Sequence, residues 1–390
     1  MSLESVQPVD QAAAQVEQLR RLFVAFGATQ CAGRSAVYER LSEEVAGDEA
    51  MLDLMLSTPS DQRKPSLLFA CVNLLLASNP GSELAAYYPI HGGSRTVDDG
   101  LAPAFFAFCG AYRDALARLL RERSTQTNEI RRCIALRLGL SHVQHRWPGP
   151  LALVEVGASA GLNLIFDRYS YAPGGRHAMM AAGTPIIRCD VRGAAGVDVL
   201  GDIPRITRRL GIDQQPIDLS DPEARAWLEA FIWPERVEDL ATLRGAMELW
   251  RSQSVDAVVV AGEATADTAR LIAELPGEEP VAVFTASLLS YLGLAARAEF
   301  VAQLDESARR RPVAWVFAEA PGLLATSGID APALRGPLAR RNIDYLIGVS
   351  RRGSGREDRL LALADPYVRW LAPARSDTDD FQWALNESRG

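Results

Sequence analysis

Apolar positions along this chain repeat in two ways. Up to residue 150 they recur every three or four places, the period of helices with one buried face. Val16, Leu19, Leu22, Phe23 and Phe26 mark a first helix, and Tyr38, Leu41 and Val45 a second. Ser66 to Ala77 is apolar nearly all round, as in a helix buried on most sides, and Asn79-Pro80-Gly81 ends it. Phe105, Phe108, Cys109, Tyr112, Leu116, Leu119 and Leu120 form one long stripe, read as core packing. Trp147-Pro148-Gly149-Pro150 marks a boundary. Beyond it the apolar residues come in short β-prone runs alternating with helical patterns, which implies a mostly parallel sheet with helices on both faces.

The predicted strands are Leu151–Val156, Ile186–Val191, Ala257–Ala261, Val281–Ala286, Val313–Phe317, Asp344–Val349 and Leu360–Ala364, with a continuation at Tyr367–Leu371. The predicted helices run from Asn163 onward, over Thr265–Glu274 and over Ala295–Arg310. The Gly-containing stretch from Val349 to Arg356 leaves no room for a crossover helix, so its flanking strands form an antiparallel hairpin, placed at the sheet edge. Two segments interrupt the alternation. Tyr169 to Gly183, around Pro173-Gly174-Gly175, reads as a hairpin excursion. Residues 192–252 read as a helical insertion, one helix opening on the capping box Ser220-Asp221-Pro222-Glu223. The expected organisation is a helical domain over 1–150, a lid or substrate wall, then an α/β domain over 151–372. A polar tail over 373–390, loosely ordered from Ala372 on, ends the chain.

Composition narrows the function classes. The chain has 390 residues, is 48% hydrophobic and carries a formal net charge of -8, which argues against general nucleic-acid binding. Lys64 is its only lysine, so Schiff-base or P-loop lysine chemistry has no other position to use. The five cysteines are scattered without a CxxC pair and read as buried thiols of a reduced, cytoplasmic protein. The N-terminus lacks signal-peptide features, and no apolar run is long enough to span a membrane. His142 and His145 would share a helix face but have no third ligand nearby, so no metal is expected.

The stretch from Leu151 to Arg168 organises the rest: a strand, the turn Gly157-Ala158-Ser159-Ala160-Gly161, then a helical pattern whose N-terminal amides would face a ligand. Three chemistries use such a turn. As a GxSxG elbow it would make Ser159 the nucleophile of a serine hydrolase, but His177 is the only histidine after it. As a dinucleotide fingerprint it lacks glycine at Ser159 and Leu162. As an S-adenosylmethionine loop it is filled by Glu155, Gly157, Ser159 and Gly161, with Asn163 following. Asp190 ends the second predicted strand, where a carboxylate would accept ribose hydroxyls, and Glu263 follows the third, where it would accept the adenine amino group.

The fold class expected is therefore α/β, a Rossmann-like methyltransferase sheet with a C-terminal antiparallel hairpin. The substrate-facing strand end reads Thr285-Ala286-Ser287 and continues to Tyr291. It lacks the Asp/Asn-Pro-Pro-Tyr motif of nucleic-acid amino methyltransferases, so that substrate class loses weight and a small molecule or another unidentified substrate is expected. Tyr291 and Ser287 are the weak catalytic candidates, although a tyrosine beginning a helix is usually packed. The polar loop around Gln126, Asn128 and Glu129 either reaches the ligand or caps the next helix through Thr127 or Asn128. Asp167-Arg168 reads as a surface or interdomain salt bridge. A non-catalytic ligand-binding or interaction protein on the same fold is the alternative reading.

The segments LVEVGASAGLNLIFDRYSY, TQTNEIRRC, LAAYYPI and RRPVAW resemble an uncharacterised bacterial family, domain of unknown function 2332. The resemblance covers nearly the whole chain and implies a helical N-terminal part with a methyltransferase-like C-terminal part, but no reaction. Two positions depart from the family pattern. Gly262-Glu263 stands where members carry Gly-Asp, and Ala286-Ser287 where they carry His-Ser, which removes a base from that strand end.

Overall fold

A computed structural model describes residues 8–175, 183–193, 200–252, 256–335, 337–340, 344–374 and 381. In chain order the helices are α1 (Pro8–Phe26), α2 (Ala36–Gly47), α3 (Glu49–Leu56), α4 (Pro65–Ala77), α5 (Leu101–Ala111), α6 (Arg113–Glu122), α7 (Arg132–Arg146), α8 (Pro222–Ala230), α9 (Val237–Ser252), α10 (Thr268–Glu274), α11 (Leu294–Ala308) and α12 (Pro321–Thr326). The strands are β1 (Leu151–Val156), β2 (Ser170–Pro173), β3 (Ile186–Val191), β4 (Ile206–Asp213), β5 (Val258–Ala261), β6 (Val281–Ala286), β7 (Val313–Glu319), β8 (Tyr345–Arg352), β9 (Arg356–Ala364) and β10 (Trp370–Pro373). Among the described residues no helix is long and apolar enough to cross a membrane.

The chain divides into two compact units, each continuous in space and broken in sequence. The helical unit takes the described residues up to Thr127 together with Asp221–Arg244; the α/β unit takes Asn128–Ser220 and the residues from Gly245 on. The first unit is built on aromatic packing. Tyr38 stacks on Phe69 at 4.4 Å, and Phe23 and Phe105 meet the same ring edge-on. Asn73 explains why Asp221–Arg244 belongs here. It is buried on the otherwise apolar α4, and its Nδ2 donates to the carbonyls of Ala230 (2.9 Å) and Ile232 (3.0 Å). A buried amide must find partners, and these lie in the segment α8 brings back. Asp221 caps α8 by accepting from the Glu223 amide, so the cap is Asp221 and not the Ser220 box. The long apolar stripe is also two helices, α5 and α6, with Tyr112 out of helical geometry between them.

The α/β unit carries a ten-stranded sheet in the order β2-β3-β10-β9-β8-β7-β6-β1-β4-β5. Pairing is parallel throughout except β7–β8, β8–β9 and β9–β10. The sheet is covered on both faces, as buried parallel strands require. Along β7, Trp315 meets Phe300 of α11 at 5.7 Å, while the next residue, Val316, points the other way against Gly139 of α7.

Three expectations are corrected. The segment 192–252 is not wholly helical: it holds β4, which lies directly beside β1. The C-terminal hairpin is not at the sheet edge: β8 and β9 lie inside the sheet, because β10 continues the pairing on to β3. Within the excursion expected over Tyr169–Gly183, Ser170–Pro173 forms β2, which pairs parallel with β3, and residues 176–182, where the second arm of a hairpin would fall, lie outside the described residues. Ala372 is not loose either: it is buried in β10, and Phe381 further on is buried in the same core. Pro373 ends β10 and Ala374 follows it, while residues 375–380 and 382–390 of the polar tail, and His177, lie outside the described residues.

The Gly139 contact gives a test of this layering. A Cβ there would lie 2.3 Å from Val316 Cγ1, so Gly139→Ala should destabilise by about 1–3 kcal/mol despite the better helix propensity of alanine. Gly110 in α5 has nothing within 4 Å of its notional Cβ, so Gly110→Ala should stabilise by about 0.5–1 kcal/mol. Urea unfolding of both variants checks the pair. Equal effects would contradict the packing of α7 on β7.

Candidate functional site

The five parallel strands β5, β4, β1, β6 and β7 present their carboxyl ends on one side of the sheet. The chain builds outward from β1 to β4 and β5, then returns to place β6 on the other side of β1. The β1/β6 boundary is thus a topological switch point, where open α/β sheets leave a crevice for ligands.

At the end of β1, Gly157 and Gly161 have φ of +80° and +74°, and Ser159 between them has φ +53°. At Gly161 a Cβ would also lie 2.6 Å from Val259 and 3.1 Å from Trp250, so packing excludes a side chain there as well. The loop is tied down by its own amides. Gly157 and Ala158 donate to the Ile212 carbonyl, Ser159 to Asp213 Oδ2 at 2.7 Å, and Leu162 to Asn128 Oδ1 at 3.3 Å. The segment that follows, Leu162–Arg168, is a kinked 3₁₀ turn, not the predicted α-helix. The expected helix N-terminus with free amides is therefore absent, and these donors are spent within the protein.

Of the two acids predicted beside the loop, the fold places one, Asp190, elsewhere. Asp190 lies on β3, separated from β1 by β10, β9, β8, β7 and β6, so it does not flank the loop. The acid at the end of the strand beside β1 is Asp213. It is half-buried, and Oδ1 also accepts from the Gln215 amide at 2.9 Å. Glu263 follows β5 as expected and is exposed; its Oε2 accepts from Gln214 Nε2 at 2.6 Å. Asp213 was hidden because β4 begins Ile206-Thr207-Arg208-Arg209 and reads as polar. Arg209 is tolerated there because it pairs with Asp167 at 2.7 Å, so Asp167 does not serve the surface pair with Arg168.

Beneath the loop, Glu155 and Asn163 are buried, with Asn163 Nδ2 donating to Glu155 Oε1 at 2.7 Å. Cys133 Sγ lies 3.2 Å from Asn163 Oδ1. Burial pushes the Glu155 carboxyl up to about 8, against the opposing pull of the Asn163 bond and the Arg132 charge. Glu155 Oε2 and Ser159 Oγ are buried without a hydrogen-bond partner among the described residues. All five cysteines are free and buried.

At the end of β6, Ser287 adopts φ +65° and its Oγ accepts from Arg132 Nη2 at 2.7 Å. The same oxygen shares a 2.7 Å bond with the Tyr345 hydroxyl. Arg132 Nη1 donates to the Ala286 carbonyl at 3.2 Å. Glu319, fully buried at the end of β7, accepts from the Leu288 and Leu289 amides and thereby holds the Ser287 turn. Burial pushes its carboxyl up to about 8 too.

Thr285, expected to face substrate, is fully buried and accepts from Trp315 Nε1 at 3.0 Å. Tyr291 is not packed at a helix start; it ends a 3₁₀ turn and is 54% exposed. Asn128 does not cap α7, which begins at Arg132, but reaches the β1 loop; Glu129 pairs with Arg131 at 3.2 Å. Gln126 belongs to the helical unit. Sequence reading missed Asp213, Arg132, Glu319 and Tyr345. Only Asp213 had a signal, an acid directly after Leu210-Gly211-Ile212.

The raised Glu155 carboxyl has a consequence for stability. Folded, it holds its proton up to about pH 8; unfolded, it releases it near 4.5. Between those values the unfolded state binds fewer protons, so stability falls as pH rises, by at most about 1.4 kcal/mol per pH unit for one group. Glu155→Gln should flatten the pH dependence of urea unfolding between pH 5 and 8 relative to the natural chain. Parallel curves would refute the buried, protonated carboxyl.

Two solved structures resemble the chain distantly. One, from Bordetella parapertussis and titled a possible exported protein, is 12% identical, with 82% of this chain and 76% of that chain covered and a TM-score of 0.25. The other, titled a pericyclic reaction enzyme, is 12% identical, with 92% and 87% covered and a TM-score of 0.25. No curated protein matches the chain. Residues 20–372 match the family described as an uncharacterized protein conserved in bacteria, domain of unknown function 2332, and with nearly its whole length in that match the chain belongs to this family.

Proposed function

We propose that the α/β unit binds S-adenosylmethionine at the ends of β1, β4 and β5 and acts as a methyltransferase on a small molecule. The observation that carries this reading is the switch point itself: a glycine turn on β1, with a carboxylate on the adjacent strand end aimed at that turn. The residues present suit such a ligand. An ionised carboxylate has about four acceptor sites, and Asp213 uses two, for the Ser159 and Gln215 amides. The remaining two can take the hydroxyls of a ribose. The exposed Glu263, on the neighbouring strand end, can accept from an adenine amino group. Gly157, exposed and without a side chain, lets the ligand lie against the backbone. Because the amides of Gly157, Ala158, Ser159, Gly161 and Leu162 are already bonded, few are left to cradle a phosphate, which favours a nucleoside over a nucleotide.

When bound, the cofactor would supply an activated methyl group; the protein's part is to bind and orient. A non-catalytic binding protein is the second reading. It is favoured by the strand end of β6, where Ser287 is held by Arg132 and Tyr345 and no histidine stands. The serine-hydrolase reading loses support, since Ser159 Oγ meets no described base.

Calorimetric titration with S-adenosylmethionine and S-adenosylhomocysteine tests the reading. Saturable binding is expected, weakened at least about tenfold in Asp213→Asn, which keeps an acceptor for the Ser159 amide but loses carboxylate capacity. Silence with both ligands would overturn the proposal. Binding without turnover on a panel of small acceptors would leave the non-catalytic reading.

A further inference from the structure

Arg132 stands at the same strand ends without a counter-ion among the described residues. A guanidinium has five N–H donors. Two of them meet only neutral acceptors, the Ala286 carbonyl and Ser287 Oγ, and Nε is buried without a partner among the described residues. Arg132 forms no ion pair with a described residue. It is half-buried, and so are Ser287 and Tyr345 beside it. Two buried carboxyls, Glu155 and Glu319, feel its charge, yet each bonds elsewhere: Glu155 to Asn163, Glu319 to the Leu288 and Leu289 amides. Burial also drives both toward their neutral forms, so neither cancels the arginine.

The arrangement is held rigidly. Glu319 fixes the turn that carries Ser287, and Ser287 Oγ joins Arg132 to the Tyr345 hydroxyl. Cation, hydroxyl and phenol thus converge at the end of β6, and the notional Cβ of Gly157 in the β1 turn lies only 3.3 Å from Leu288. A planar guanidinium with spare donors is suited to a carboxylate, which it can grip through two bonds at once.

We propose that Arg132, Ser287 and Tyr345 form a carboxylate-binding site at the carboxyl end of β6. The carboxylate belongs either to a small acidic acceptor or to the amino-acid end of the cofactor. The inference rests on the proposed function only for the identity of that second source. The binding chemistry is the same in both cases.

The test begins without the cofactor. Benzoate and its neutral isostere benzamide are titrated into the natural chain, with chemical shift or heat as readout. Benzoate should bind saturably and benzamide should not. Arg132→Gln should weaken benzoate at least about tenfold, and Tyr345→Phe by about threefold to tenfold. Arg132→Lys, which keeps the charge but not the fork, should retain part of the binding; it also guards against a variant that fails to fold. Benzoate binding that is absent in the natural chain, or unchanged in Arg132→Gln, would overturn the proposal.

A second arm separates the sources. If Arg132→Gln weakens S-adenosylhomocysteine but not 5′-methylthioadenosine, which lacks the amino acid, the cofactor end occupies the site. If benzoate still binds the S-adenosylhomocysteine-loaded protein through Arg132, an acidic acceptor does. Silence of both nucleosides with benzoate bound would overturn the cofactor assignment and leave the carboxylate site standing.

Discussion

The 2.7 Å bond from the Ser159 amide to Asp213 is the interaction on which the site depends. Gly157, Ser159 and Gly161 all take positive φ, but only Ser159 does so with a side chain, at a cost of about 1–2 kcal/mol. A charge-assisted bond to a half-buried carboxylate offsets a cost of that size. The same residue ties the next strand end: the Asp213 carbonyl accepts from the Gly262 amide. One residue therefore joins the ends of β1, β4 and β5, through its carboxylate to β1 and its main-chain carbonyl to the residue after β5. Without it the β1 loop would keep its glycines but lose the contact that sets Ser159, and the crevice wall with it.

On the other side of the switch point the lacing is done by Glu319, through the amides that follow Ser287. The two acids work in different surroundings. Asp213 is half-buried and near solvent, whereas Glu319 and Glu155 are sealed in and driven up to about 8. The crevice thus has a carboxylate on the β4 side and an arginine on the β6 side, with protonated carboxyls beneath. In the proposed reading, that polarity suits a hydroxyl-bearing group near Asp213 and an anionic group near Arg132.

How much of this was legible depended on local cues. The helical stripes of the first half, the β1 turn and the hairpin after Val349 are encoded by period and glycine, and each is present. The strand β4 was not legible, because Arg208 and Arg209 break its apolar run and the compensation, Asp167, comes from another element. Missing β4 displaced the second acid from Asp213 to Asp190. The helix after the β1 turn failed for a related reason. Leu162 to Phe166 has the composition of a helix, but Tyr169 takes the Leu162 carbonyl with its hydroxyl and Ile165 leaves helical geometry. Arg132 lies in the TQTNEIRRC segment and Tyr345 in no motif, and only the fold brings the two to Ser287.

The antiparallel run β8–β9–β10 does more than finish the sheet. In an all-parallel sheet every strand begins at the end opposite the crevice, so only residues that end strands can line it. β8 runs against β7, with Leu346 paired to Glu319, and its first residue, Tyr345, therefore arrives at the carboxyl end of β7. That reversal delivers a phenol to Ser287 from a strand that would otherwise have offered its last residue. β10 then pairs parallel to β3, which keeps β8 and β9 inside the sheet and buried along much of their length. An interior strand cannot slip in register without moving both neighbours. The register that positions Tyr345 is thus fixed by the closure on β3, far from the crevice, and Arg132 meets a hydroxyl pair whose geometry the whole sheet maintains.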